Sequence, residues 1–153
     1  MKLLAAFFIS LSILCIHLPA DAEPPDCFRD IERTFFEPSY VMGALSLHGE
    51  LQGLWVPITN DLQAIQGDVE RRVRARAEQM HPNPLDNPFN THAAALLLMD
   101  ELFRMFSETM HAHIITNESD IHQMFYYIRG RNIPKLKACF GDKVPLDWYK
   151  ENN

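Results

Sequence analysis

From Ala93 to Ile115, Ala95, Leu98, Met99, Leu102, Phe103, Phe106, Met110 and His113 recur at spacings of three and four, and Leu96, Leu97 and Met105 widen the stripe. That period belongs to an α-helix. Thr91 is the expected cap, and the run would be about 35 Å long at 1.5 Å per residue. A helix apolar on so many sides belongs at the centre of a fold. No segment of the chain alternates apolar and polar residues with a period of two, so strands are not expected. The fold class is all-α.

The rest of the chain supplies helices to pack on that centre. Pro24 and Pro25 keep the entry extended, and Asp26 caps a short helix over 27–37 with Phe28, Ile31 and Phe35 on one face. Pro38 opens the next segment, 39–55, whose stripe is Val41, Ala44, Leu45, His48, Leu51 and Trp55. Gly43, Gly49 and Gly53 each weaken that helix by about 1 kcal/mol against alanine, so a bend is expected, with Pro57 as its end. Thr59 or Asn60 then caps a third helix carrying the ladder Leu62, Ile65, Val69, Val73, Ala77 and Met80. Prolines and asparagines fill 81–90, a loop long enough to cross from one end of a bundle to the other. After the central helix, Ser119 caps a helix over 120–129 with Ile121, Met124, Phe125 and Ile128 inward and Gly130 as its stop. Pro134 opens a last short helix that Gly141 ends. The expected architecture is a compact helical bundle of about four main helices plus short ones.

The N-terminus sets the compartment. Lys2 precedes an apolar run from Leu3 to Leu18, and Ala20 and Ala22 frame a small-x-small cut before Glu23. That is the pattern of a secretory signal peptide, and the run is shorter than the ~20 residues that span a bilayer. The expected organisation is a signal peptide at 1–22, a helical bundle domain at 23–143 and a C-terminal tail at 144–153. The alternative is a retained anchor; no later segment is apolar enough to span. Removal of Cys15 with the signal leaves Cys27 and Cys139, which in an oxidising route most simply form one disulfide from the first helix to the last. A loop of that order is worth about 4–5 kcal/mol in the chain-entropy model. The net charge of −6 argues against nucleic acid and anionic lipid as main partners.

Few motifs carry chemistry. Asn117-Glu118-Ser119 is an N-glycosylation sequon in an inter-helix turn, though Asn117 and Ser119 could act only as turn and cap residues. Arg71, Arg72, Arg74 and Arg76 form a basic run in an acidic chain. It reads as a solvated face paired with Glu70 and Glu78, as a partner-binding patch, or as a dibasic processing site. His111 and His113 diverge by about 200° on a helix and cannot easily share a metal ion. Asp100, Glu101 and Glu108 come with no nucleophile motif, so neither an enzyme nor a cofactor is expected.

Signal peptide, four helices, a crossover-length loop, one disulfide and one sequon together resemble a short-chain helical cytokine or hormone, in architecture alone. The expected function is a secreted signalling or interaction protein, extracellular, that binds a receptor or other extracellular partner through Arg71, Arg72, Arg74 and Arg76. The alternatives are a carrier of a small apolar ligand lined by Leu98, Leu102, Phe103, Phe106 and Phe125, and a prohormone cleaved near Arg74.

Overall fold

The computed structural model describes residues 27–80 and 92–144. The signal-peptide region, the loop at 81–90, the Thr91 cap and the tail beyond Val144 lie outside the described residues. Those described are helical, with no strand among them: α1 (Cys27–Thr34), α2 (Pro38–Leu45), a 3-10 segment (Gly49–Leu54), α3 (Trp55–Gln66), α4 (Val69–Met80), α5 (His92–Ala112), α6 (Glu118–Phe140) and a last 3-10 turn (Gly141–Lys143). The all-α class is therefore observed, but the helices are six rather than four long ones.

α5 and α6 form the long hairpin at the centre. α3 and α4 pack on α5, α1 and α2 pack on α6, and α1 also meets α3 and α4. Five phenylalanines tie these layers together. The ring of Phe35 lies edge-on to Phe36 at 5.2 Å and meets Phe125 at 5.7 Å, Phe36 stacks on Phe106 at 6.1 Å, and Phe103 meets Phe125 at 5.1 Å. Such pairs add about 0.5–1.5 kcal/mol each beyond their burial. The stripe expected on the central helix is inward: Leu98, Leu102, Met105, Phe106 and Met110 are fully buried.

Phe35 and Phe36 sit in the turn between α1 and α2, where backbone polar groups would be stranded in the core. Two distant side chains satisfy them. Gln66 Oε1 at the end of α3 accepts the Phe36 N–H at 3.3 Å, and Asn132 Nδ2 on α6 donates to the Phe35 carbonyl at 3.0 Å. A buried amide left unmade costs about 1–3 kcal/mol, so Gln66 and Asn132 permit this turn to be internal.

Four boundaries differ from the sequence reading. Pro57 does not end the second segment; it occupies the first turn of α3, where a missing N–H costs nothing. Thr59, expected as a cap, is buried inside α3. The third helix breaks at Gly67 and Asp68 into α3 and α4, because Glu32 reaches across from α1 and accepts the Glu70 N–H at 3.3 Å, supplying α4 with a capping carboxylate from another helix. The apolar ladder hid the break, since Leu62, Val69 and Val73 are buried on both sides of it. Finally, α6 runs through Gly130 and Pro134 without stopping. The carbonyl that Pro134 cannot pair belongs to Gly130 four residues earlier, and both residues are exposed, so that oxygen is open to solvent rather than stranded in the core.

The turn from α5 to α6 carries a backbone anomaly. The Ile114 N–H bonds the His111 carbonyl at 2.9 Å and the Ile115 N–H bonds the Met110 carbonyl at 2.9 Å, a Schellman closure. Its left-handed position, normally glycine, is Ile114 at φ 65°. Asn117, not Ser119, caps α6: its Oδ1 accepts the Ser119 N–H at 3.1 Å. Gly141, at φ 57°, ends α6 as expected.

Candidate interaction surface

The arginine run of α4 is held by carboxylates. Arg71 pairs with Asp68 at 2.6 Å, Arg72 with Glu108 at 3.4 Å, Arg74 with Glu70 at 2.7 Å and Arg76 with Glu101 at 3.0 Å. Two of these pairs cross to α5 and run antiparallel, Arg72 to Glu108 and Arg76 to Glu101. They fasten α4 along the central helix. Glu101 is fully buried and also accepts from Arg104 at 3.2 Å. The sequence shows four arginines and not their partners, because Glu101 and Glu108 are some thirty positions away.

Four other cations have no carboxylate within ion-pair distance among the described residues: Arg33, Arg131, Lys135 and Lys137. They lie on α1 and the C-terminal half of α6. Tyr127, Arg131 and Lys135 follow one another four residues apart, one stripe of α6. Tyr127 is half-buried and covers Gly43 of α2; a β-carbon there would sit 2.7 and 2.8 Å from the ring carbons. This close approach is what the glycine is for. The phenol accepts from Arg131 Nη2 at 3.0 Å, and the guanidinium lies 5.2 Å from the ring centroid. The hydrogen bond to Tyr127 raises the Arg131 pKa above its ordinary value, with a smaller contribution from Tyr40. Lys135 Nζ donates to Thr34 Oγ1 at 2.8 Å beside an open cleft of about 500 Å³ lined by Asp30, Ile31, Thr34, Lys135, Ala138 and Cys139. The result is a tyrosine-backed, preorganised and exposed cation, Arg131, on a helix stripe whose other two members are half-buried. Arginine and tyrosine in this arrangement are the residue types that dominate protein interfaces. The Tyr–Arg spacing is legible in the sequence. Its place on one unbroken helix is not, because Gly130 and Pro134 read as a break.

The histidines brace the end of the bundle where α5 meets α6. His113 pairs with Asp61 of α3 at 2.8 Å, His111 with Glu118 at 3.0 Å, and His48 lies 3.8 Å from Asp120. His122 Nδ1 lies 2.7 Å from the Glu118 carbonyl. Among the described residues no three His, Cys, Asp or Glu side chains group as metal ligands. The residues expected to line a ligand cavity, Leu98, Leu102, Phe106 and Phe125, are fully buried and Phe103 is half-buried; Phe103, Phe106 and Phe125 pack ring on ring. The cleft lies elsewhere. Cys139, half-buried near the end of α6, is disulfide-bonded. No described helix is long and apolar enough to cross a membrane. Compared with known proteins, the chain matches no family model, no curated relative and no solved structure.

Proposed function

We propose that this chain is a secreted, single-domain signalling or interaction protein that acts by contact with an extracellular protein, and that its contact surface is the Tyr127–Arg131–Lys135 stripe of α6. The observation that carries the reading is Arg131. It is an exposed guanidinium held in place by Tyr127 with no carboxylate within ion-pair distance among the described residues, in a chain of net charge −6 whose α4 arginines are all paired. A side chain already ordered loses less entropy on binding, and its forked donors suit a carboxylate on the partner. The signal-peptide pattern of 1–22 supports secretion. Cys27 in α1 is the proposed partner of Cys139, since α1 packs on α6. Asn117 is the proposed glycan site.

The carrier reading has less support, because its lining residues fill one another's space. The prohormone reading needs α4 to unwind, since Val73 within the dibasic run is fully buried.

The test is expression in eukaryotic cells with the native N-terminus. The expected product starts at Glu23, lacks two hydrogens, carries a glycan, and binds a defined subset of cell types saturably, with unlabelled protein competing. Retention inside the cell, or only linear, non-competable binding across all cell types, would sink the proposal.

A further inference from the structure

Ile114 is the most conspicuous misfit of the molecule. It is 86% exposed, the most exposed large apolar side chain described, and it is β-branched at φ 65°, where glycine or asparagine is ordinary. Both features oppose a free-standing turn. A residue kept against local backbone preference and against solvent points to something that covers it. Three residues on stands Asn117, exposed, first residue of the sequon and N-cap of α6. The cap fixes the Asn117 side chain: Oδ1 accepts the Ser119 N–H, which leaves Nδ2, the nitrogen that carries an N-linked sugar, without a partner among the described residues. The exposed His111–Glu118 pair links the two helix ends, and the two Schellman hydrogen bonds hold the backbone in shape. Of the two residues between them in the chain, Ile115 is buried and Thr116 is small, so neither puts a bulky side chain at the surface between Ile114 and Asn117.

We infer that an N-linked glycan on Asn117 folds back over Ile114, the C–H face of its first sugars lying on the isoleucine side chain, so that sugar and protein together complete the α5–α6 turn. The inference rests on the secretory reading given above. It assigns the glycan a structural contact rather than only a solubilising role, and it gives Ile114 its occupant. The polar exterior of the same sugars restores a hydrated surface where the bare protein presents an apolar knob.

Ser119→Ala removes the sequon but leaves the cap, because it is the Ser119 backbone N–H that Asn117 accepts. Ile114→Thr keeps the branched side chain and its backbone strain while removing apolar surface. Wild type, each single variant and the double variant are secreted from the same cells, their glycan occupancy read by mass, and their thermal midpoints compared. The expected result is a fall of about 2–6 °C for Ser119→Ala in the wild-type background and almost none in the Ile114→Thr background. In the glycosylated wild type, nuclear Overhauser contacts between sugar protons and the Ile114 methyls are also expected, a readout that needs no variant to fold. A glycan that is present, with equal midpoint losses in both backgrounds and no methyl contact, overturns this inference and leaves the secretory reading intact. A secreted chain with Asn117 bare, or no secreted chain, overturns the glycan site and the inference together.

Discussion

Replacing Gly43 by alanine tests how α2 and α6 meet. Gly43 lies inside α2, where alanine gains about 1 kcal/mol of helix propensity. Against that stands Tyr127, whose ring carbons would lie 2.7 and 2.8 Å from the new methyl, well inside the ~3.5–4 Å of a normal carbon contact. Overpacking of this kind costs about 1–3 kcal/mol, and the half-buried ring can escape only by leaving Gly43 and disturbing Arg131. The expected net effect of Gly43→Ala is therefore a loss of about 0–2 kcal/mol. In a Tyr127→Ala background the clash is gone and the same substitution should stabilise by about 1 kcal/mol, a change of sign. Gly130→Ala supplies the control, since nothing lies within 4 Å of a β-carbon there and the position is exposed inside α6. It should gain about 1 kcal/mol. Urea denaturation followed by circular dichroism at 222 nm reads all four variants. If Gly43→Ala stabilises equally with and without Tyr127, the reason given for this glycine is wrong.

The paired carboxylates give two more expectations. Arg76→Ala leaves the fully buried Glu101 with Arg104 as its remaining partner, and should cost about 2 kcal/mol by denaturant midpoint; a loss under about 0.5 kcal/mol would mean that the α4–α5 ladder is not holding α4 in place. Glu32 is nearly buried, and burial raises its pKa above the usual 4.5 in spite of the hydrogen bonds from α4. The folded state then holds this proton more tightly than the unfolded chain, so the contribution is greatest below about pH 4.5 and fades as pH rises through the raised value. Glu32→Gln should flatten that part of the stability–pH curve; an unchanged slope would show that another group sets it.

Much of this molecule is legible in its residues, and where reading fails there is a local cause. The stripes of the central helix and of Ile121, Met124, Phe125 and Ile128 survive because a fully apolar face has one place to go. The α3–α4 break was hidden because the cue for it, Glu32, is contributed by a distant helix. The continuity of α6 was hidden because Gly130 and Pro134 are strong breakers by themselves, yet four residues apart on a solvent face they are tolerated together. The Tyr127–Arg131–Lys135 stripe, proposed above as the contact surface, was hidden with it. Arg71, Arg72, Arg74 and Arg76 draw attention by adjacency, which says nothing about their partners, whereas Arg131 gains its character from Tyr127 one turn away and from having no acid beside it among the described residues.

The most direct measurement compares Arg131→Glu with Arg74→Glu in saturable binding of the secreted protein to responsive cells, with helicity checked in both. The expected result is an affinity at least about tenfold lower for Arg131→Glu, about 1.4 kcal/mol, and one within about twofold of wild type for Arg74→Glu. Unchanged binding by the Arg131 variant, or loss on reversal of Arg74 with helicity intact, would contradict the placement of the contact surface on the Tyr127–Arg131 face.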